Sequence, residues 1–228
     1  MFVFLDIGFT LMGGPSEGPG RRLLRHLGLP DSAKTELNRL LFESFFADPA
    51  ELAQGLSRRF DVHGIDPFPI VADLWRRQVD EADPLPGSRE GLRRLRDAGI
   101  PFGFVTNIWE PFLAGFARLF PEEYQDCPLF ASCRLGCSKP DLQLYRKALS
   151  HTGIDPRDAV MIGDTYENDI APARKLGMKT IWVLSRPEKE RSDLIAVLNK
   201  TMPPPDRTVA GIDQLRTEMI EALWSIHR

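Results

Sequence analysis

The sequence has few of the residues that bind zinc or form disulfides. Its 228 residues include three cysteines and four histidines. Cys127, Cys133 and Cys137 lie in one short segment with no histidine close by, and they lack the tighter Cys-x-x-Cys spacing typical of zinc sites. We therefore predict ordinary packed or free thiols. The odd number of cysteines, without a signal-peptide pattern, predicts a reducing cytoplasm.

Long apolar runs and a strong net charge are also missing. No apolar run approaches the roughly 20 residues that span a bilayer, so no membrane segment is expected. The net charge is -3, and the basic pairs Arg21-Arg22 and Arg93-Arg94 lie on helical patterns, as solvated helix faces do. These features predict no nucleic-acid partner. The length suits one large domain, or a core domain with a smaller insert.

The first strand lacks a carboxylate that its pattern leads us to expect. FVFLDIGFTL begins at Phe2 and is typical of a buried strand that ends at Asp6. A carboxylate at the carboxyl end of a buried parallel strand is where α/β enzymes place their chemistry. Many enzymes that begin this way carry a second carboxylate two residues later, where this chain has Gly8. The stretch therefore indicates an active-site position but leaves open whether the site is working, modified or inactive.

From residue 86 onward, strand and helix patterns alternate. The strand patterns are IPFGFVTN, DAVMIGD, MKTIWVL and a weaker RTVAG. The helix patterns are SREGLRRLRDA with Ser88 as its cap, LQLYRKALSHTG, DIAPARKLG with Pro172 in its first turn, and DQLRTEMIEALWSIH. This alternation predicts an α/β, Rossmann-like fold with a doubly wound parallel sheet. The last helix is expected to pack on the core through Leu215, Met219, Leu223 and Ile226.

Residues 13–85 interrupt this alternation. They contain the helix patterns GRRLLRHLG, AKTELNRLLFESFFA, PAELAQGLSRRFDVHG and PIVADLWRRQVDEA, with no convincing strand. Gly- and Pro-rich segments, GGPSEGPG and DPLPG, mark the two ends and predict hinges. GGPSEGPG lacks the Lys-Ser/Thr pair of a phosphate-binding loop. We predict a core domain from residues 1–12 and 86–228, with an all-helical cap over residues 13–85.

Polar residues at the predicted strand ends form a candidate active site. Because the carboxyl ends of parallel strands share one sheet edge, we expect distant positions to converge there on one pocket. Carboxylates brought close together are unstable unless a cation joins them, and hard oxygen ligands favour Mg²⁺. The candidate residues are Asp6, Thr106, Asn107, Lys139, Asp164 and Asp169.

These motifs, in this order, resemble those of the haloacid dehalogenase-like (HAD) hydrolase superfamily. Asp-x-x-x-Thr-Leu is followed by strand-Thr-Asn, then Ser-Lys-Pro-Asp, then Gly-Asp-x-x-x-x-Asp. The longer stretches PLPGSREGLRRLRDAGI, CSKPDLQLYRKAL and VMIGDTYENDIAPARKLGM also match the habits of the family. The resemblance covers residues 1–12 and 84 to about 184, and the helical insert stands where the family's type 1 cap belongs.

The resemblance implies a phosphohydrolase acting on a small phosphorylated substrate. Asp6 would be the nucleophile that forms an aspartyl-phosphate. Thr106 would donate a hydrogen bond to the phosphoryl oxygens, and Asn107 would line the substrate site beside it. Lys139 would neutralise Asp6 and the phosphoryl charge.

The resemblance also implies Mg²⁺ as the cofactor. Asp6, the carbonyl group of Gly8 and Asp164 would bind the ion, and Asp169 would bind it or orient its ligands. The cap would close over the site, exclude water and select the substrate. Neither the substrate nor the oligomeric state can be predicted from the sequence.

The first motif departs from the family's Asp-x-Asp-Gly-Thr, because Gly8 and Phe9 occupy the third and fourth positions. In the family, the third residue ligates Mg²⁺ through its carbonyl, and its carboxylate protonates the leaving group and later activates water. Gly8 keeps the carbonyl but has no carboxylate. Loss of a general acid–base typically reduces the rate by about 10²–10⁴.

Three functional classes therefore stay open. The first is a Mg²⁺-dependent phosphohydrolase with a slow or relocated acid step. The second is a haloacid or phosphonate hydrolase, although the family's dehalogenases lack the acidic fourth motif that Asp164 and Asp169 represent, and Lys34 is a poor match for the cap lysine of the phosphonate enzymes. The third is a catalytically impaired protein that binds phosphorylated ligands.

Overall fold

The fold is built on one parallel β-sheet. The computed structural model describes residues 1–62 and 64–225. The strands are β1 (Phe2–Leu5), β2 (Met12–Gly13), β3 (Asp83–Pro84), β4 (Phe102–Thr106), β5 (Leu129–Ala131), β6 (Ala159–Gly163), β7 (Lys179–Val183) and β8 (Arg207–Val209). Six of them form a parallel sheet in the order β5-β4-β1-β6-β7-β8. The predicted α/β, doubly wound, Rossmann-like fold is confirmed.

Strand β1 lies at the centre of the sheet. All four of its residues are buried, as expected for a strand covered on both faces by helices. Leu5 is in register with Phe104 of β4 and with Ile162 of β6. The carboxyl ends of these three strands are therefore neighbours, which is the arrangement that the candidate site requires.

Eight helices pack around the sheet among the described residues. They are α5 (Ser88–Asp97), α6 (Glu110–Leu119), α7 (Pro121–Asp126), α8 (Ser132–Leu135), α9 (Leu142–Thr152), α10 (Ala171–Lys175), α11 (Arg191–Leu198) and α12 (Thr217–Ser225). Leu215 and Leu223 are buried against the core and Met219 packs on it, as predicted, while Ile226 lies outside the described residues. Pro172 lies in the first turn of α10, as expected.

Four helices lie between β2 and β3. They are α1 (Pro19–His26), α2 (Lys34–Glu43), α3 (Pro49–Arg59) and α4 (Pro67–Asp80). They share an apolar core of their own, to which Leu23, Leu41 and Leu56 contribute. No strand occurs in the described residues 19–62 and 64–80. The short antiparallel ribbon of β2 and β3, which the sequence did not predict, joins the two ends of this segment.

Helix α5 begins differently from the prediction. Ser88 is not its N-cap but its first residue, and its buried hydroxyl group has no hydrogen-bond partner among the described residues. Gly87 stands at the N-cap position with φ 75°. A side chain there would also collide with Asp213, because an added Cβ would lie 2.4 Å from the Cβ of that residue. Tertiary packing, and not capping, therefore decides this boundary.

The remaining expectations concern cysteines and membrane segments. Cys133 and Cys137 are buried, Cys127 is half-buried, and all three are free thiols. None of the described helices combines the length and the apolar character needed to cross a bilayer.

Candidate active site

Asp6 follows β1 directly and lies at the centre of the sheet edge. Its amide group donates a hydrogen bond to the Ile162 carbonyl group at 2.9 Å, which continues the ladder between β1 and β6 and fixes the backbone. The residue is 6% exposed, and its Oδ1 accepts a hydrogen bond from Lys139 Nζ at 2.7 Å. Its Oδ2 accepts no hydrogen bond from a described residue. Asp6 Oδ2 is thus available to react with or bind a ligand, while the rest of the carboxylate is held in place.

Lys139 lies at the centre of the charged cluster. Its Nζ donates to Asp6 Oδ1 at 2.7 Å, to Asp169 Oδ1 at 2.6 Å and to the Val105 carbonyl group at 3.0 Å. These contacts use all three ammonium protons. Burial lowers the pKa of Lys139, but attraction to Asp169 and Asp6 outweighs it, so the pKa lies above its usual value. Lys139 is therefore a fixed positive charge.

Asn107 positions the backbone of Lys139. The Asn107 side chain donates to the Lys139 carbonyl group at 2.8 Å and accepts from the Lys139 amide group at 2.7 Å. Asn107 lines the cavity, as expected for its predicted substrate-binding role. Both polar atoms of its amide group are nevertheless engaged by the chain, so its evident structural task is to hold the lysine loop.

Asp169 is brought to the cluster by a tight turn. Residues 166–170 form one π-helical turn before α10, and the Asp169 Oδ2 accepts a hydrogen bond from the Thr165 amide group at 3.0 Å. Gly163 allows this approach, since a Cβ there would lie 2.3 Å from the Asp169 Cγ. Burial, partly offset by Lys139, raises the pKa of Asp169 to about 7.

Asp164 is paired with an arginine that the sequence motifs did not indicate. Its Oδ2 accepts hydrogen bonds from Arg186 Nη2 at 2.5 Å and Nε at 3.2 Å, and its Oδ1 accepts one from the Thr165 hydroxyl group at 3.2 Å. Burial and the nearby Asp6 raise the pKa of Asp164, while Arg186 lowers it. The net shift is upward, chiefly because the carboxyl group is buried.

The three carboxylates fit a divalent cation. Oxygen atoms of Asp6, Asp164 and Asp169 lie within 4.8 Å of one another. Lys139 and Arg186 neutralise two of these three negative charges. Hard oxygen donors and a remaining negative charge suit Mg²⁺.

The first motif has open space at Gly8 and an unusual backbone conformation at Phe9. An added Cβ at Gly8 would have no described atom within 4 Å, so the space for a side chain is open. Phe9 has φ 56°, a left-handed conformation that is rare for a bulky residue. The Arg186 guanidinium group lies 3.4 Å above the centre of the Phe9 ring. Position 9 therefore supports a charged group from another loop.

Two buried threonine hydroxyl groups near the ends of β1 and β4 lack hydrogen-bond partners among the described residues. Thr106 is 1% exposed and Thr10 is fully buried, and neither Oγ1 has a hydrogen-bond partner among the described residues. A buried hydroxyl group without a partner costs about 1–3 kcal/mol. A ligand can supply the missing acceptor of such a group, and the phosphoryl-binding role of Thr106 stays a prediction.

A cavity of about 840 Å³ lies between this cluster and the helical segment. Helix α2 contributes Lys34, Asn38 and Arg39 to its wall. The Ser138 hydroxyl group, next to Lys139 in the chain, donates a hydrogen bond to Glu43 Oε1 at 2.6 Å. The end of α2 is therefore tied directly to the loop that carries the lysine.

The structure brings Asp6, Asn107, Lys139, Asp164 and Asp169 together at one sheet edge with Gly8 beside them. Thr106 ends the neighbouring strand β4 but does not line the cavity. Sequence reasoning missed Arg186. The signal was its place in VLSRPEKE, directly after a predicted strand, because a charged residue at that point faces the same sheet edge.

The chain is similar to known proteins. A family model for haloacid dehalogenase-like hydrolases matches residues 35–177. The glyceraldehyde 3-phosphate phosphatase of Pyrococcus furiosus is 32% identical over 202 residues, which are 79% of this chain and 79% of the relative. That of Pyrococcus abyssi is 33% identical over 176 residues, covering 70% of this chain and 68% of the relative.

A solved structure has the same fold. It is a HAD family enzyme from Bacteroides thetaiotaomicron in complex with magnesium and inorganic phosphate, with a TM-score of 0.60 and 18% identity, covering 81% of this chain and 94% of the other. The resemblance inferred from the motifs is confirmed by the family model and by the Pyrococcus relatives. The chain belongs to the haloacid dehalogenase-like hydrolases.

Proposed function

We propose that this protein is a Mg²⁺-dependent phosphatase that acts on a small phosphorylated substrate through an aspartyl-phosphate on Asp6. The observation that carries the proposal is the buried cluster in which Lys139 Nζ bridges Asp6 and Asp169. The relatives from Pyrococcus are named as phosphatases, which supports the same reaction class. Glyceraldehyde 3-phosphate is accordingly one substrate to test.

In the first step, the free Oδ2 of Asp6 attacks phosphorus and the bond from phosphorus to the leaving oxygen breaks. Lys139 holds the other oxygen of Asp6 and offsets the negative charge. The unpartnered hydroxyl group of Thr106 is suited to donate to a phosphoryl oxygen. In the second step, water attacks phosphorus and the bond to Asp6 breaks, which releases phosphate and restores the carboxylate.

Proton transfer is the weak part of this site. Gly8 has no group to protonate the leaving oxygen or to deprotonate the attacking water. The leaving group must therefore take its proton from solvent, which favours substrates whose leaving groups need little protonation. We propose a site that is modified in this way and not inactive.

Mg²⁺ would be held by Asp6, the Gly8 carbonyl group and Asp164. Asp169 would either bind the ion directly or orient its ligands. Bound there, the ion would neutralise phosphoryl charge and orient the phosphate for in-line attack. Calorimetry on the parent and Asp164→Ala tests this assignment. Equal Mg²⁺ affinity in the two proteins would show that the assignment is wrong.

We further propose that residues 13–85 act as a cap over the core built from residues 1–12 and 86–228. The cavity between α2 and the acidic cluster, and the bond from Ser138 to Glu43, support this division. A cytoplasmic location remains our prediction and rests on the odd number of free cysteines.

The decisive experiment is a screen of phosphorylated metabolites and of one aryl phosphate, with and without Mg²⁺. The parent should release phosphate only with Mg²⁺, and rapid quenching with mass spectrometry should detect a phosphoryl group on Asp6. Asp6→Asn should abolish both signals. Binding of Mg²⁺ and phosphate without turnover of any substrate would instead favour a ligand-binding role.

A second candidate function depends on Lys34. This lysine lines the cavity from α2, and a cap lysine that forms an imine is what phosphonate hydrolysis needs. Phosphonoacetaldehyde therefore belongs in the screen. Borohydride reduction in its presence should leave Lys34 unmodified if the phosphatase proposal is correct.

A further inference from the structure

Arg186 occupies a ligand oxygen of the proposed metal site. Its Nη2 and Nε both donate to the same oxygen, Oδ2 of Asp164, at 2.5 and 3.2 Å. We propose that Arg186 is a resident cation that competes with Mg²⁺ for Asp164, and that Phe9 holds it in place. This inference rests on the proposed function, because it assigns Asp164 to the metal.

Competition follows from geometry. Mg²⁺ binds oxygen at about 2.0–2.1 Å in a strict octahedral arrangement. The Oδ2 of Asp164 already accepts two hydrogen bonds, and its Oδ1 accepts one from Thr165. A metal that binds Oδ2 must displace Arg186, and a metal that binds Oδ1 shares a carboxylate whose charge the arginine already offsets. In either position the arginine pair lowers the affinity for Mg²⁺.

Charge acts in the same direction. Asp6, Asp164 and Asp169 are three carboxyl groups that share two cations, Lys139 and Arg186. Lys139 is buried and contacts two carboxylates, so it cannot leave without uncovering both. Arg186 is 22% exposed in its side chain and lines the cavity, so it is the cation that can move.

The aromatic ring of Phe9 holds the Arg186 guanidinium group in place. The guanidinium group lies 3.4 Å from the centre of the ring, within the range of a cation–π contact. The Phe9 carbonyl group accepts a hydrogen bond from Ser185 Oγ at 2.6 Å, which ties the arginine loop to the first motif. The left-handed backbone of Phe9 is strained for a bulky residue. The contact with Arg186 helps explain why the chain keeps a phenylalanine there.

The test is direct measurement of metal binding. Calorimetry with Mg²⁺ and electron paramagnetic resonance with Mn²⁺ are applied to the parent, Arg186→Gln and Lys189→Gln. Lys189 also lines the cavity and lowers the pKa of Asp164 through its charge, so it is a matched control for charge without contact.

Arg186→Gln should bind Mg²⁺ about tenfold or more tightly than the parent, because two charge-assisted hydrogen bonds to one Asp164 oxygen are removed. Lys189→Gln should change the affinity by less than about threefold, since an exposed charge is screened. Phe9→Leu, which keeps bulk but removes the aromatic face, should give an intermediate gain. Arg186→Lys serves as the second variant if the glutamine protein does not fold, and it should also show an intermediate gain.

Equal or weaker Mg²⁺ binding by Arg186→Gln would overturn the proposal. So would equal gains in Arg186→Gln and Lys189→Gln, since the effect would then be general charge. If no variant binds a metal, the competition is also refuted. In that case, phosphate release measured in the presence of a chelator shows separately whether the protein is a phosphatase that needs no metal.

Discussion

Replacement of Gly8 with aspartate should convert this site into a faster phosphatase for alkyl phosphates. The change returns a carboxylate to the position from which the family protonates the leaving group. The structure has room for it, because an added Cβ at Gly8 meets no described atom within 4 Å. The backbone there also lies outside the left-handed region that would strain a side chain.

The size of the gain follows from the chemistry. A well-placed general acid–base contributes about 10²–10⁴ in rate, which sets the upper limit. The neighbouring Phe9 is held at φ 56°, and its conformation affects how residue 8 aims its side chain. We therefore expect at least about a tenfold gain in kcat/KM, equivalent to about 1.4 kcal/mol of transition-state stabilisation.

The assay compares leaving groups within one set of proteins. Parent and Gly8→Asp are measured on an alkyl phosphate and on an aryl phosphate, whose phenolate leaves with little protonation. Only the alkyl substrate should gain strongly. The parent should also accumulate phosphorylated Asp6 after rapid quenching, and Gly8→Asp should clear it faster.

Two further variants separate chemistry from shape. Gly8→Asn has nearly the same size but no ionisable proton, so it should give no gain. Gly8→Asp combined with Phe9→Gly should exceed the single change if the aromatic residue misdirects the carboxylate. If neither aspartate variant gains on the alkyl phosphate, and the parent cleaves no aryl phosphate while binding Mg²⁺, the reasoning is refuted.

Three other outcomes are expected. Lys139→Met leaves two buried carboxylates without their shared cation, so urea unfolding should show a loss of up to about 3–5 kcal/mol, and an unchanged midpoint would contradict the buried pair. Burial raises the pKa of Cys133 to about 12 and that of Cys127 to about 11. A thiol reagent at pH 8 should therefore label half-buried Cys127 before Cys133, and equal labelling rates would contradict this order. A phosphate mimic should move the cap about hinges at 13–20 and 82–87, and identical scattering with and without it would contradict the hinge.

Most of the fold could be predicted because its signals are local. The run from Phe2 to Leu5 is apolar and ends in a carboxylate, and later strands alternate with helices that glycine terminates, as Gly153 does for α9. The β2–β3 ribbon was not predicted, since two residues a strand are too few to show a period of two. The Ser88 cap was wrong because packing against Asp213 requires glycine at position 87.

The candidate site was predictable as far as sheet topology determines it. Asp6 and Asp164 converge because strands β1 and β6 end at one edge, and the loop before α9 brings Lys139 to the same edge, which the order of motifs already indicates. The engagement of the Asn107 amide group by the lysine backbone depends on loop geometry that spacing cannot reveal. The position of Arg186 after a predicted strand indicates the sheet edge, but its pairing with Asp164 depends on loop geometry that no motif records.

The unusual residues of this site have one electrostatic consequence in common. Gly8 withholds a negative charge that the family has, and Arg186 adds a positive charge beside Asp164. Both features weaken the binding of Mg²⁺, but by different means. Gly8→Asp adds one negative charge and leaves Arg186 on the Asp164 oxygen. Arg186→Gln removes one positive charge and also frees that oxygen. If ligand competition dominates, the arginine variant should gain more Mg²⁺ affinity than the aspartate variant in the same calorimetric titration. Equal gains would mean that net charge alone controls the metal, and the contact between Arg186 and Asp164 would then have no separate role.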